Sequence, residues 1–399
     1  MKKGTTIQAA AVLGLGLGMA AGSAKAAVEF TQANLVSDGF VPAAHLDLKL
    51  VNPWGISFNP SGTGSPFWVS DNNAGVATVY TGAGVSVMPP SPVSIAPPNG
   101  GTPGTATPTG TVFNIAGSGF NVTNGVTSGS SKFLFATEDG TISGWSPTVD
   151  ASHSILAKDN SGSGAVYKGL AIADVGGGNT NIYVSNFHSG QVEVYDQGFG
   201  LVKTFTDPTV PAGYAPFNVQ VLNGKLYVTF ALQDADKHDD VKGPGHGFVD
   251  TFNLDGTGMQ RIASNGRLNS PWGLTIAPAS MGPLAGDLLV GNFGNGTISV
   301  FDKVTNAFLG DLKDLTGHVI QIGDLWAIIA GDLNPGGGSD PNALYFTAGV
   351  IDEMHGLFGT LTPSIVAGVP EPTSLGLIAS GLVSLGWWRR RRNGRTNPA

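Results

Sequence analysis

The stretch "NPWGISFNPSGTGSPFWVSDNNAGVATVY", residues 52–80, decides the fold because its pattern returns along the chain. A close copy, "YKGLAIADVGGGNTNIYVSNFHSGQVEVY", begins at Tyr167, and another, "SPWGLTIAPASMGPLAGDLLVGNFGNGTISVF", begins at Ser270. Each copy has an aromatic residue or Lys before Gly, then a strand, a turn rich in Gly, Pro or Asn, and a second strand. That second strand ends at Asp71, Asn186 or Asn292, and an alternating third strand follows a glycine turn. The repeat is therefore a unit of short antiparallel strands.

Weaker copies begin at Asn124, Ala215 and Asp324, which makes six copies at intervals of roughly 50 residues. Each has room for a fourth strand, and four short strands per repeat are typical of a β-propeller. We predict an all-β, six-bladed β-propeller with four-stranded blades over residues 27–367. A strand at Phe30 to Val36 is expected to join the last blade and close the ring. The Pro/Gly-rich stretch 89–108 is predicted to be an irregular loop, and six related copies disfavour the alternative of a jelly roll or sandwich.

The composition fits a secreted β protein. The chain has 399 residues, with 60 glycines, 25 prolines, 12% charged residues and no cysteine. Without cysteine there is no disulfide framework and no thiol chemistry. The net charge is -8 although the chain ends in a basic cluster, so the body is more acidic than the total. An acidic body argues against nucleic acid as a partner and permits the binding of cations.

The N-terminus reads as a secretory signal peptide over residues 1–26. Lys2 and Lys3 precede an apolar stretch, and Ala24-Lys25-Ala26 fits the small-residue cleavage rule. A retained membrane helix is the alternative, which the glycine-rich composition disfavours. We expect the chain to be exported.

The C-terminus is a second targeting segment. Ser374 to Trp388 is an uncharged stretch that ends in two tryptophans, and Arg389, Arg390, Arg391 and Arg392 follow it. The stretch is predicted to form a short transmembrane helix, because tryptophans suit the membrane interface and arginines are retained on the cytoplasmic side as a stop-transfer signal. The alternative, a buried C-terminal helix, does not explain the arginines. Residues 393–399 would be a cytoplasmic tail.

The order of Val369, Pro370, Glu371 and Pro372, the apolar stretch and the arginines resembles the PEP-CTERM sorting signal of Gram-negative bacteria that make exopolysaccharide. The resemblance covers residues 368–392. It implies that an exosortase, a membrane processing enzyme, recognises the chain as an inner-membrane-anchored precursor. The protein would then reach the periplasm, the cell surface or the extracellular matrix, with exopolysaccharide as a further partner.

The repeats resemble those of the NHL and SMP-30/gluconolactonase-like six-bladed propellers. The shared features are the strand that ends in Asp or Asn and the glycine turn into "VATVY", "QVEVY" or "TISVF". "NPWG", "SPWG" and the stretch from Leu226 to Asp250 also resemble a family of bacterial propellers that often carry PEP-CTERM signals. The resemblance implies a fold rather than an activity.

Propeller geometry predicts where a ligand would bind. The loops before each inner strand and those between the second and third strands share one end of the channel, so their polar residues should converge there. These loops include Lys168, Asn218, Asn269, Glu138 and Asp139. The ligand candidates are Asn52, Asp71, Asn73, Asn186, His188, Asn292, Glu353 and His355. Because Asp71, Asn186 and Asn292 repeat in register, they have a second interpretation as residues that hydrogen-bond the turn that follows.

The acidic loop "DADKHDD" does not repeat, so it is a candidate metal site. Asp234, Asp236, Asp239 and Asp240 offer the oxygen ligands that Ca²⁺ or another divalent cation prefers. The loop lacks the spacing of an EF-hand, and a solvated acidic surface is an equal alternative.

Two function classes remain open. The first is a non-catalytic exported propeller that binds a glycan, a small molecule or a protein. The second is a metal-dependent hydrolase of lactonase or phosphotriesterase type. No G-x-S-x-G or H-E-x-x-H motif is present, so no catalytic residue is named and the balance leans away from an enzyme.

Overall fold

The computed structural model describes residues 27–102 and 104–366. The predicted signal peptide, the sorting segment 368–392 and the tail 393–399 lie outside these described residues. Residues Val28–Val366 form one compact unit. Within the described ranges, no helix is both long enough and apolar enough to span a membrane.

The first strand, β1, spans Ala27–Ser37, and the short β2 spans His45–Leu46. Blade 1 follows as a four-stranded sheet in chain order. Its strands are β3 (Pro53–Ser57), β4 (Phe67–Asp71), β5 (Val76–Tyr80) and β6 (Val93–Ser94). The stretch 89–108 therefore is not wholly irregular as predicted, because it contains the outer strand of this blade.

Blade 2 differs most from the sequence prediction. Its inner strand β7 (Pro108–Phe113) precedes a separate hairpin of β8 (Asn121–Thr123) and β9 (Ser128–Ser130). The blade continues with β10 (Phe133–Thr137), β11 (Thr141–Trp145) and β12 (Ile155–Asp159). The predicted copy starting at Asn124 therefore missed the inner strand, because the inserted hairpin separates β7 from the rest of its repeat.

Blades 3 to 5 follow the repeat closely, each a four-stranded sheet in chain order. Blade 3 consists of β13 (Tyr167–Gly176), β14 (Asn179–Asn186), β15 (Gln191–Tyr195) and β16 (Leu201–Phe205). Blade 4 consists of β17 (Tyr214–Leu222), β18 (Lys225–Leu232), β19 (Phe248–Phe252) and β20 (Gln260–Ser264). Blade 5 consists of β21 (Pro271–Ile276), β22 (Leu288–Asn292), β23 (Ile298–Phe301) and β24 (Phe308–Asp311).

Blade 6 closes the ring. After the two-residue β25 (Lys313–Asp314), its strands are β26 (Leu325–Ala330), β27 (Leu344–Ala348) and β28 (Leu357–Val366). The strand β1 lies beside β28 as the fourth strand, with β2 and β25 on its other side. The predicted closure by Phe30 to Val36 is confirmed, and the N-terminal strand covers an edge that would otherwise be exposed. Short 3-10 turns occupy Asn72–Ala74, Ser161–Ser163, Ala279–Leu284 and Pro335–Gly337.

Glycine lets the inner strands approach one another around the axis. A Cβ atom on Gly55 would lie 2.6 Å from the Thr109 carbonyl oxygen, and one on Gly273 would lie 2.7 Å from the Trp326 carbonyl oxygen. Such distances are too short for any side chain, so the Gly after Trp54 and the Gly after Trp272 are required by the packing of neighbouring blades. This explains why the "WG" pair repeats.

Candidate functional site

One residue near the start of each inner strand lies where the strand departs from regular pairing. It is the second residue of the strand in five blades and the fourth residue, Phe217, in β17 of blade 4. Strand register shifts at this position in all six blades. A bulge of this kind re-aims a side chain. The six equivalent residues are Trp54, Thr109, Lys168, Phe217, Trp272 and Trp326. Five of them are neutral, and Lys168 is the charged member.

The aromatic residues of this set form a plug that closes the channel. The ring centroids of Trp54 and Trp326 stack 3.4 Å apart, and Trp326 also stacks on Phe293 at 3.9 Å. Phe217 of blade 4 lies 5.9 Å from Trp326 of blade 6, so the rings meet across the axis. We define the plug as Trp54, Phe187, Phe217, Trp272, Phe293 and Trp326, all of which are buried. It divides the channel into two ends.

The polar end lies where the inner strands begin, and its first group contains three of the predicted ligand candidates. The Asn52 side-chain amide donates to the Glu353 carboxylate at 2.8 Å and to the Asn73 side-chain oxygen at 3.3 Å. The Asn73 amide donates to the Glu353 carbonyl oxygen at 2.8 Å. The Asn52 side-chain oxygen accepts from the Trp326 indole at 2.9 Å, which fixes the group to the plug.

The loop that carries Glu353 has an unusual backbone. Ile351, Asp352 and Glu353 all have φ between 49° and 66°, in the left-handed region that non-glycine residues rarely adopt. Strain of about 1–3 kcal/mol per residue persists only where the surroundings enforce it. Here the Asp324 carboxylate accepts from the Asp352 amide at 2.9 Å. Such enforced strain is typical of functional loops.

The second group at the polar end is built around a buried lysine. The Lys168 ammonium contacts the Glu138 carboxylate directly and lies 3.1 Å from the Asp239 carboxylate. Asn72 also donates to Glu138, at 2.8 Å, and the His238 ring lies 3.0 Å from Asp239. The Lys168 side chain is 1% exposed, whereas that of Asp239 is 65% exposed. A buried ammonium thus supports carboxylates that reach the solvent.

The charge environment shifts the pKa values of these groups. Burial alone would lower the pKa of Lys168, but the Glu138 and Asp239 carboxylates raise it overall, so the ammonium stays charged. The hydrogen bond from His238 and the nearby Lys168 hold the pKa of Asp239 well below its usual range. Burial raises the pKa of Glu353 from 4.5 to about 7. Glu353 therefore changes charge near neutral pH while Asp239 stays ionised.

A second lysine completes the polar end. The Lys242 ammonium lies 2.6 Å from the Asp324 carboxylate and 4.2 Å from the centre of the Phe293 ring. The sequence prediction missed both Lys242 and Asp324. Asp324 precedes the inner strand of blade 6 as Asn52 precedes that of blade 1, with φ of 50° and 49°. Their shared place in the repeat is the signal that would have identified Asp324.

The remaining predicted candidates do not join these groups. Asn186 accepts from the Ser189 amide at 3.1 Å, and Asn292 donates to the Thr297 hydroxyl at 3.1 Å. Asp71 is buried inside blade 1, where it accepts from the Thr78 amide at 3.0 Å. Asn186 and Asn292 therefore hydrogen-bond the turn that follows, as the second interpretation expects, whereas Asp71 bonds the third strand, β5.

The two candidate histidines lie at the periphery. His188 is partly exposed in the turn after β14. The His355 ring lies 2.7 Å from the Asp38 carboxylate and stacks on Phe40 at a centroid distance of 4.1 Å. Through its side chain, His355 therefore ties the last blade to the segment after β1, while its backbone carbonyl oxygen accepts from the Asn52 backbone amide at 3.3 Å.

The four aspartates of the acidic loop lie in different surroundings and do not face one common point. Asp234 caps its own loop by accepting from the His238 amide at 2.9 Å, and Asp236 is exposed. Burial raises the pKa of Asp240, while Asp239 faces Lys168. In the part of the chain that the structure describes, the acidic residues and histidines whose ligand atoms lie within 4.8 Å of one another are Glu138, His238 and Asp239. This group shares only Asp239 with the predicted set.

The opposite end of the channel has a different character. Below the plug is a void of about 20 Å³, room for a single water. Beyond it the channel widens into a cavity of about 300 Å³, which we call the funnel. Its walls include Ile56, Phe58, Phe113, Ile172, Gln220 and Ile329.

Comparison with known proteins identifies the C-terminal segment. Residues 368–391 match the family model described as the PEP-CTERM protein-sorting motif. The match includes Val369, Pro370, Glu371 and Pro372, which lie outside the described residues. The predicted sorting signal is confirmed, and it implies an exported protein in the exosortase pathway. The signal peptide and the transmembrane helix stay predictions.

The body has relatives in a giant virus. Uncharacterized proteins L690 and R648 of Acanthamoeba polyphaga mimivirus are each 32% identical to this chain over 337 residues. The matches cover 82% of this chain, and 84% and 78% of the two relatives. This chain belongs to their family. The names of these two family members state no activity.

Solved structures agree with the fold. A structural genomics protein of unknown function from Bacteroides thetaiotaomicron aligns with a TM-score of 0.51 at 8% identity, covering 85% of this chain and 77% of that one. A streptogramin B lyase structure aligns with a TM-score of 0.45 at 10% identity, covering 84% and 98%. At such identities the likeness extends to the propeller fold alone.

Proposed function

We propose that this family member is an exported, non-catalytic propeller that binds a neutral glycan at its polar end. The observation that carries the proposal is the constellation around Asn52, Lys168 and Glu353. Its amides and carboxylates come from different blades and are already held in place by one another. Groups fixed before binding lose little conformational entropy when a ligand arrives, so they suit the recognition of hydroxyl groups.

The charge of the polar end favours a neutral ligand over an anion. Its carboxylates outnumber its ammonium groups. The ion pairs there join three carboxylates to two ammonium groups: Glu138, Asp239 and Asp324 with Lys168 and Lys242. Glu353 adds a further negative charge above pH 7. An acidic polysaccharide would be repelled, whereas a neutral polyol would find donors and acceptors on adjacent side chains.

The direction of the strands places this end opposite the point where the chain leaves the propeller. The Asp38 carboxylate, just after β1, contacts His355 at the polar end. The Ala27 end of β1 therefore lies at the funnel end, and so does Val366, which ends the strand beside it. The last described residue of the propeller therefore lies at the end of the channel opposite the polar groups.

A glycan-binding assay tests this proposal. The full chain is titrated by calorimetry with a panel of neutral and acidic oligosaccharides. We expect saturable binding of a neutral member, and we expect Asn73→Ala and Glu353→Ala to weaken it at least tenfold. Asn179→Ala is the matched control, because Asn179 is exposed on the β13–β14 hairpin at the funnel end. Binding of acidic glycans alone, or equal affinity in all variants, would refute the proposal.

The metal-dependent hydrolase is the second candidate, and one observation favours it. Glu138, His238 and Asp239 offer three ligand atoms within 4.8 Å of one another. The Lys168 ammonium, however, already forms ion pairs with both Glu138 and Asp239. This donor set therefore fits a divalent cation poorly. The metal content of the purified chain is measured after exposure to Ca²⁺ and Zn²⁺. A stoichiometric metal that is absent from His238→Ala would support the hydrolase instead.

For the route of export we propose a membrane-anchored precursor. The apolar stretch and Arg389 to Arg392 support this, since a basic cluster resists translocation. Replacing the four arginines with glutamine is expected to shift the protein from the membrane fraction to the medium. An unchanged distribution on cell fractionation would contradict the anchoring role.

A further inference from the structure

The funnel is a second, separate cavity at the end of the channel opposite the polar groups. Its volume of about 300 Å³ lies at the lower limit of typical small-molecule sites. The plug separates it from Lys168 and Glu353, since Trp54, Trp272 and Trp326 pack against one another across the axis. A ligand in the funnel would therefore not contact the groups that the glycan proposal uses.

The walls of the funnel are apolar and uncharged. Ile56, Phe58, Phe113, Ile172 and Ile329 supply most of the surface. Among the described residues, those that line this cavity include no Asp, Glu, Lys, Arg or His. A charged ligand would lose its hydration without gaining a partner, which costs several kcal/mol or more. The walls therefore select for a neutral molecule.

The polar groups of the funnel are few and lie deep. The Ser57 and Thr111 hydroxyls bond to each other at 3.1 Å across the boundary between blades 1 and 2. Gln220, in the middle of β17, lines both the funnel and the small void beneath the plug. Its side-chain amide has no hydrogen-bond partner among the described residues. A partly buried amide without a partner is a ready donor and acceptor for a ligand.

We infer that the funnel binds a neutral, mainly apolar small molecule with one hydrogen-bonding head that reaches Gln220. The body of the molecule packs against Phe58, Phe113 and Ile329, and its head bonds the Gln220 amide. The site shares no residue with the polar end, so this inference stands or falls independently of glycan binding.

The test uses prodan, a neutral naphthalene with one carbonyl acceptor, whose emission shifts to the blue in an apolar site. The purified full chain is titrated at a fixed detergent concentration, and a detergent blank is subtracted. We expect saturable binding with one site per chain. Gln220→Leu, which keeps the volume and removes the amide, is expected to weaken binding about fivefold, the size of one hydrogen bond.

A filling variant and its control locate the site. Ile329→Trp puts a larger side chain into the funnel and is expected to abolish saturable binding. Val202→Trp makes a similar change on the exposed outer strand β16 and should bind like the wild type. If Ile329→Trp does not fold, as judged by thermal melting, the near-isosteric Gln220→Glu replaces it and should weaken binding more than tenfold. No saturable binding by the wild type, or equal affinity in the funnel variants, would overturn the inference.

Discussion

The two ends of the central channel are built from the same six inner strands, yet their chemistry is opposite. At the polar end, Asn52, Lys168 and Glu353 are bonded to partners on other blades. In the funnel, the Gln220 side chain has no hydrogen-bond partner among the residues that the structure describes. The polar end is a preformed network of hydrogen bonds, whereas the funnel is a cavity with few polar groups.

The difference shows how a propeller separates two kinds of site. Loops from all blades meet where the inner strands begin, so long polar side chains can reach across the axis there. Farther along the strands, the residues that line the channel are mainly Ile, Val and Phe. The plug separates the polar end from the funnel, so we expect its disruption to alter both sites.

Among the variants, Trp326→Ala is expected to lower the free energy of unfolding the most. Trp326 stacks on Trp54 and Phe293 and donates to Asn52, so the variant leaves a cavity and frees a polar group. We expect a loss of about 3–5 kcal/mol in the free energy of unfolding. Urea denaturation measures it.

Trp145→Ala is the control, because Trp145 is buried in β11 of blade 2 away from the plug. Both variants should lose stability, but only Trp326→Ala should also change prodan affinity. An equal prodan response in both variants would show that the plug does not separate the ends.

The next largest loss of stability is expected for Lys168→Met. The change removes a buried ammonium and leaves the Glu138 and Asp239 carboxylates to repel each other. Removing one partner of a buried ion pair lowers the free energy of unfolding by about 3 kcal/mol or more. The loss is smaller here because Asp239 is largely exposed to solvent. The control Lys242→Met removes an ammonium that is 35% exposed, for which we expect a loss of about 1 kcal/mol or less. Urea midpoints that are equal in the two variants would count against the special role of the buried lysine.

The smallest effect is a pH dependence. The pKa of Glu353 rises from 4.5 when unfolded to about 7 when folded, so the folded state holds this proton more tightly. The tighter binding of this proton stabilises the folded state fully below pH 4.5. This stabilisation decreases as the pH rises from 4.5 to 7 and is absent above pH 7. Glu353→Gln removes the titration and keeps a side-chain oxygen for Asn52.

The variant should therefore match the wild type near pH 4.5 and be more stable above pH 7, as measured by urea midpoints at each pH. Burial also raises the pKa of Asp250 to about 7, but this group is common to both proteins and cancels in the difference. A difference that is flat across this range would mean that Glu353 does not titrate there.

Much of the fold could be predicted from local pattern. The strand-turn-strand rhythm identified the blades, and the unpaired N-terminal strand indicated the closure by β1. The inner strand of blade 2 was missed, because the β8–β9 hairpin interrupts the repeat after Phe113. For the site, Asn52, Asn73 and Glu353 do meet at the expected end. Asn218 was assigned there too, but it lies inside β17 and lines the void beneath the plug. The pairing of Lys168 with Asp239 was not predicted, because nothing local to either residue indicates the other.

The sequence by itself determined the number of blades, the strand boundaries of most repeats and the sorting signal, since these depend on periodicity and on short contiguous motifs. Only the tertiary structure decided which polar residues meet, where the channel closes and which end has a cavity. Asn52 and Glu353 are 301 residues apart in the chain and 2.8 Å apart in space. Contacts of this kind depend on ring closure and on the packing of side chains from several blades, and no periodicity encodes them.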